Sequence, residues 1–368
     1  MLDPFPMLGD DSLLHLSWAR PGRWRVLYHK DDVEIFGCVY AVGECGLSHK
    51  KTVFVTGASG FVGSALIEHL VSTGSYQVLA LVRRDGVVLP SDAIPVRVSE
   101  DYLAGEALPF AGVDALIHCG ARVHVMSDTT SDPLAEYRKV NVQGTLRLAA
   151  QAAQAGVKRF IFISSIKVNG EGTQLGQPYT ADDLPAPCDP YGISKMEAEQ
   201  QLRLLSQETG MEVVIIRPVL VYGPGVKANF RKMMEWLNKG VALPLGAIHN
   251  RRSLVALDNL VDLIVTCLHH PAAANQTFLV SDDDDMSTSE LLTRIGKALA
   301  KPARLIPVPA TLLQWCMILI GRRGVGQRVC GSLQVDIKKT RDLLGWTPPS
   351  TVAVALRKTV ECFKGNLK

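Results

Sequence analysis

The sequence predicts an α/β fold: a doubly wound parallel sheet with a smaller C-terminal lobe. Three observations predict it. Short, nearly continuous apolar runs alternate with helical stretches from Lys51 to Arg217, as in a parallel sheet covered on both faces. A glycine-rich turn, Gly57 to Gly63, lies between the first of these runs and the first helix. After Pro218 the rhythm breaks, and Gly223-Pro224-Gly225 and Pro244-Leu245-Gly246 signal loops.

The elements follow in order. Thr52–Thr56 is a β-branched apolar run, followed by a helix to about Thr73 that Gly74 stops. Gln77–Val82, a weak Val96–Val98 and Ala115–Cys119 are further strands. Asp132 as N-cap and Pro133 in the first turn open a long helix that runs to Ala155 and ends at Gly156. Arg159–Ser165 is a fifth strand, Tyr191–Thr209 a helix ended by Gly210, and Glu212–Arg217 a sixth strand. Beyond them, Asp258–His270 reads as a helix closed by Pro271. Ser287 with Glu290 forms a capping box ahead of another helix, and Asp336–Leu344 is a last short one. Asp282–Asp285 reads as a solvated turn. The apolar run Trp315–Ile320 is too short to span a bilayer and reads as a buried or interface helix.

Composition narrows the class. Across 368 residues the net charge is only +3, and no basic run carries interleaved aromatics, so nucleic acid and anionic membrane are not expected partners. The 8 cysteines form no CxxC pair and no metal-ligand cluster. That pattern fits a reduced, cytoplasmic protein without a metal. Residues 1–50 carry charges throughout and no secretory apolar core, so no signal peptide is read there. They show no clear period and form an N-terminal extension of undecided role.

Gly57-x-x-Gly60-x-x-Gly63 gives a tight turn, close backbone approach to a pyrophosphate and close helix–strand packing. The helix that follows offers amide groups and a positive dipole end. Gly57, Ser59, Gly60, Phe61, Val62 and Gly63 are therefore the candidate cofactor loop of a dinucleotide-binding (Rossmann) domain. Its expected bounds are 51–222 with about 253–280, and the substrate lobe takes 223–252 with about 281–368. The second strand ends at Val82, where an NAD site usually carries an acid, and Arg83 and Arg84 follow. Arginine suits a 2′-phosphate, so NADP(H) is favoured. NAD(H) stays open, since Asp85 could serve it if the strand end shifts.

Tyr191 and Lys195 sit at i and i+4 on one helix face. A nearby ammonium and a positively charged nicotinamide favour the phenolate. Ser164-Ser165 closes the fifth strand, and ligands bind at the C-terminal strand ends of such sheets. Ser165 is thus placed to bond a sugar oxygen.

From about Thr52 to about Pro349 the chain resembles the extended short-chain dehydrogenase/reductases, the family of nucleotide-sugar epimerases, dehydratases and reductases. The resemblance implies Ser165, Tyr191 and Lys195 as the catalytic triad acting at C4 of the sugar. It also implies Asn141 as the helix asparagine near the cofactor and Cys119-Gly120-Ala121 as the segment beneath it, although Cys and Gly replace the usual Leu-Ala. Ser164 and Pro218, the latter in Arg217-Pro218, join the cofactor contacts. Asn229, Arg252 and Arg328 match positions that hold a sugar-nucleotide diphosphate. Asn169, where many epimerases have Tyr, together with Val226–Phe230 and Arg251–Val255, resembles a bacterial polysaccharide-cluster subgroup. That subgroup includes 4-keto reductases acting on UDP-4-keto-6-deoxy-N-acetylhexosamines in O-antigen (lipopolysaccharide) precursor synthesis, and proteins called UDP-glucose 4-epimerases. A homodimer without membrane insertion is implied as well.

Reduction is the expected function, with 4-epimerisation of a UDP-hexose or UDP-N-acetylhexosamine by a retained NAD as the alternative. A 4,6-dehydratase would carry an acidic pair where Ile166-Lys167 stand. A catalytically silent cofactor sensor would lack the Tyr or the Lys, and both are present.

Overall fold

A computed structural model describes residues 14–20, 23–30, 33–40, 50–99, 106–123, 132–321 and 323–365. The chain divides into two compact units, Met1–Lys50 and Lys51–Lys368. The first holds an antiparallel sheet of β1 (Leu14–Arg20), β2 (Arg23–Lys30) and β3 (Val33–Tyr40), in that order. Sequence period gives no sign of it, because strands of 7 or 8 residues offer few alternations to count.

The second unit begins with β4 (Lys51–Thr56), α1 (Phe61–Ser72), β5 (Tyr76–Val82), β6 (Ala93–Arg97) and β7 (Ala115–His118). Then come α2 (Pro133–Tyr137), a π-helical stretch (Arg138–Gly144), α3 (Thr145–Gln154), β8 (Arg159–Ile163), α4 (Pro190–Thr209) and β9 (Glu212–Pro218). The main sheet runs β12-β9-β8-β7-β4-β5-β6, where β12 is Thr277–Val280, and every pair in it is parallel. The chain winds outward from β4 in one direction and from β7 in the other. A ligand crevice therefore opens beyond the C-terminal ends of these two strands.

Both sheet faces are buried, as the continuous apolar runs require. Val53, Val55, Ile117, Ile161 and Val214 pack under Leu66 and Leu70 of α1 and under Leu260 and Ile264. Their strand neighbours Phe54, Leu116, Phe160 and Phe162 face the other way, against Leu148, Ala152, Ala198 and Leu202.

The remaining elements are β10 (Leu220–Tyr222), α5 (Ala228–Asn238), β11 (Leu254–Ala256), α6 (Leu257–His269), α7 (Thr288–Leu299), α8 (Ala310–Leu319), α9 (Arg323–Cys330), α10 (Lys338–Leu344) and α11 (Val352–Gly365). The lobe has its own core, in which Phe230, Met234, Leu292, Ile295, Leu356 and Val360 meet. The Ser287–Glu290 capping box forms as expected.

Four expectations need correction. The helix from Asp132 is not uniform: its middle is a π-helical stretch that places Asn141 inward, at a kind of irregularity that recurs at functional sites. β12 completes the sheet as a strand of four residues, too short for its pattern to stand out. The run Asp282–Asp285 is not wholly solvated, because Asp282 is buried and accepts from the Ala256 amide (2.7 Å), Asn259 (2.7 Å) and the Tyr222 hydroxyl (2.8 Å). Finally, α8 has no buried residue, and Trp315 is 67% exposed.

Candidate active site

Packing explains the glycine turn. Gly57 has φ +72, and a Cβ there would stand 2.7 Å from the backbone of Cys119 and Gly120. A Cβ at Gly63 would stand 2.2 Å from the Gly57 carbonyl oxygen. The three segments that meet at the crevice thus approach as bare backbone. Gly60 caps α1 in extended conformation without a side-chain acceptor, and the first turn holds no acidic residue. The first-turn amides are left for an anion, so the residues fit a dinucleotide pyrophosphate. Ser59 and Gly60 are exposed, while Phe61 and Val62 are half-buried.

On the other side of the crevice, α4 starts with Asp189 accepting from the Gly192 amide (2.7 Å) and Pro190 in the first turn. This cap brings Tyr191 to the end of β8, where the nearby Ser165 hydroxyl acts on its phenol. The ring packs edge-on to Tyr137, with centroids 6.1 Å apart. One turn on, Lys195 is buried, donates to the Ile163 carbonyl (2.7 Å) and lies over the Phe162 ring at 4.1 Å. The structure brings the expected triad together.

Its electrostatics differ from expectation. Burial pushes the Tyr191 phenol up to about 12, with Asp189 adding to the rise and the Ser165 bond opposing it. Burial draws the Lys195 ammonium down to about 7, against the pull of Glu199. The Lys195 ammonium is satisfied by a carbonyl beneath the site, so in this arrangement it does not lower the phenol.

Beneath the triad lies a network that sequence reasoning missed. The buried Glu199 accepts from the Ser164 hydroxyl (2.6 Å) and is forked by Arg217 at 2.9 and 2.6 Å. Arg217 also donates to Asn169 (2.9 Å), which donates to the Thr180 carbonyl (2.9 Å). Arg217 and Asn169 therefore brace the strand ends and do not face a ligand. An acid one turn after Lys195 on the same helix face was the available signal.

Asn141 likewise works on the protein. It accepts from the Arg122 amide (2.8 Å) and donates to the Arg122 carbonyl (3.0 Å) and to Ser194 (3.0 Å), which tethers the chain beyond β7 to α4. Behind it, Thr145 donates to the Asn141 carbonyl (2.7 Å), leaving its oxygen to accept from His118 Nε2 (3.0 Å). His118 Nδ1 then accepts from the Thr56 hydroxyl. Burial, and secondarily Lys195, lower His118 to about 3, so it stays neutral. Desolvation pushes the thiol of the half-buried Cys119 up to about 12, so it is no nucleophile at neutral pH. Gly120 and Ala121 continue this segment half-buried, and Pro218 ends β9 buried.

The strand β5 ends at Val82 as expected. Arg83 and Arg84 are exposed beyond it, whereas Asp85 is engaged by Arg97 at 2.6 Å. Lys167, in place of a dehydratase acid, pairs with Glu171 and Asp189. In the lobe, Arg252 donates to the carbonyls of Arg328 (3.1 Å) and Gly331 (3.0 Å). Burial and then the nearby Arg328 charge lower the Arg252 guanidinium. The two arginines are thus brought together, with no carboxylate on either among the described residues. Asn229 stands exposed in the first turn of α5 and makes no hydrogen bond with them.

A parallel sheet with a glycine turn and a Ser–Tyr–Lys group at its strand ends is the arrangement of the extended short-chain dehydrogenase/reductase class. The chain belongs to the NAD dependent epimerase/dehydratase family, whose model matches residues 53–281. It is 48% identical over 319 residues to a UDP-glucose 4-epimerase of Vibrio cholerae, covering 85% of this chain and 95% of that one. In fold it is similar to the UDP-glucose 4-epimerase of Thermotoga maritima, solved with UDP-glucose (TM-score 0.70, 22% identity, 86% of this chain and 100% of that one). It is similar again to the UDP-glucuronic acid 4-epimerase of Bacillus cereus, solved with NAD (TM-score 0.69, 19% identity, 86% and 100%). The Vibrio cholerae relative favours the epimerase alternative over the reduction that the sequence reading put first.

Proposed function

We propose that the protein is a UDP-sugar 4-epimerase that works with a retained NAD on a UDP-hexose or UDP-N-acetylhexosamine. The observation that carries this reading is that Ser165 and Tyr191 meet at the strand ends beside the buried Lys195, with the bare-backbone glycine turn at the end of β4. The Vibrio cholerae relative supports the choice of epimerase. The turn Gly57–Gly63, with Cys119, Gly120, Ala121, Ser164 and Pro218 around it, would hold the dinucleotide. Asn141 would shape that wall from behind. Bound NAD supplies the oxidising and reducing capacity at C4 and a positive charge that favours the Tyr191 phenolate.

Tyr191 takes the proton from the C4 oxygen and returns it, and Ser165 donates a hydrogen bond to the same oxygen. Lys195 lies beneath them, tied to the Ile163 carbonyl. Epimerisation needs both faces of C4 presented in turn, so the substrate must be anchored away from the sugar ring. Arg252 and Arg328 grip the diphosphate, with Asn229 at the lobe's edge, while the sugar turns.

One observation favours a second reading, NADP(H)-linked reduction of a UDP-4-keto-6-deoxy-N-acetylhexosamine: Arg83 and Arg84 are exposed at the strand end, with no carboxylate paired to them among the described residues. The test incubates the protein with UDP-glucose and UDP-N-acetylglucosamine without added nucleotide. Conversion to the galacto epimers is expected. Absence of conversion, with stoichiometric NADPH or NADH oxidation on the 4-keto sugar, would replace the epimerase by the reductase.

A further inference from the structure

Helix α8 is the most apolar exposed surface among the described residues. Its Leu312, Trp315, Cys316 and Leu319 stand at i, i+3, i+4 and i+7, one helix stripe, and all four are exposed. Leu319 is 81% exposed, and Ile318 and Ile320 extend the patch. The opposite side of α8 is occupied: a Cβ at Gly326 of α9 would stand 3.0 Å from Met317, so the two helices pack closely. The stripe is what α9 leaves uncovered, and contiguous patches of this kind mark interaction sites.

Charge selects the partner. From residue 291 to residue 335 every charged residue is Lys or Arg. Arg304 precedes α8 and Arg322 and Arg323 follow it, and Arg304 is exposed. A second copy docked symmetrically on this stripe would bring cations against cations. An anionic lipid surface answers both the apolar stripe and its basic flanks, and Trp is suited to the boundary between headgroups and acyl chains. At ten residues, about 15 Å, the helix fits in the plane of that boundary. No helix among the described residues is long and apolar enough to cross a membrane.

Against the expectation that the small net charge sets for the whole chain, we propose that the α8–α9 hairpin docks the protein on an anionic bilayer surface, with the stripe of Leu312, Trp315 and Leu319 seated at the headgroup–acyl boundary. Vesicles of phosphatidylcholine with phosphatidylglycerol, and of phosphatidylcholine alone, test it by co-sedimentation. The full chain is expected to pellet with the anionic vesicles, less with the neutral ones, and less at high salt. Trp315→Ser with Leu319→Ser should weaken binding at least about tenfold, leaving thermal stability and turnover of soluble substrate unchanged. Bromine-labelled acyl chains should quench tryptophan fluorescence, and Trp315→Phe should remove most of that quenching. Failure of the full chain to pellet, equal pelleting of the double variant, or a dimer that the double variant dissociates into monomers would each overturn the proposal, the last in favour of a second copy.

Discussion

At the sheet end of the crevice, Ser164, Glu199, Arg217 and Asn169 saturate one another in a buried network, whereas at the lobe end Arg252 and Arg328 lie together without a carboxylate. The first arrangement fixes strand ends and a helix start so that Ser165 and Tyr191 meet in one geometry before any ligand arrives. The second stores unfavourable like-charge contact that a diphosphate would relieve. The contrast separates positioning for chemistry from affinity for substrate, and substitutions on the two sides should fail differently.

The largest effect belongs to Tyr191→Phe, which removes the proton carrier while keeping the ring. Turnover should fall by about 10³-fold or more, with NAD affinity measured by calorimetry nearly unchanged. Next, Glu199→Gln leaves Arg217 buried and uncompensated. Denaturant unfolding should report a loss of about 3–5 kcal/mol, with kcat falling more than KM rises in the protein that remains folded. On the lobe side, Arg252→Ala should raise KM for the UDP-sugar by roughly 10–100-fold, the worth of one charged hydrogen-bonding group, and leave kcat within a few-fold. Arg252→Ala lowering kcat at constant KM would erase the distinction between the two sides.

A pH dependence is the last expected effect. Lys195 titrates near 7 in the folded chain and near 10.4 when unfolded, so between those values the unfolded state holds the extra proton. Stability from this group therefore rises with pH across that window, and the cost of burying the charge is fully present below 7. Lys195→Met should flatten the Tm–pH curve from pH 7 to 10 relative to the unmodified chain. Parallel curves would contradict the buried, depressed ammonium.

The legible parts of the molecule were those whose chemistry is local. Gly63 is read from spacing because it needs bare backbone against Gly57 within one turn, and Gly57 because its positive φ is a local demand. Gly210 ends α4 in the same way, whereas the Asp189 cap and Pro190 that start it went unread. The Glu199–Arg217 pair escaped because its partners are 18 residues apart and meet only when α4 crosses β9. Asn141 was read as a cofactor neighbour, yet its side chain is spent on Arg122 and Ser194, a use visible only once the π-helical stretch turns it inward. The helix α11 went unread although its buried positions Val352, Ala355, Leu356, Thr359, Val360 and Phe363 fall at helical spacing. Residues 252 and 328 were matched through the family resemblance, and the fold brings them together through the Arg328 backbone carbonyl.

The most direct test of the central claim uses UDP-glucose carrying deuterium at C4, given to the purified protein without added nucleotide. The account predicts UDP-galactose with the deuterium still at C4, since oxidation and return happen within one closed complex. Loss of the label to solvent, or no product until reduced nicotinamide and a 4-keto sugar are supplied, would contradict a retained-cofactor C4 epimerase.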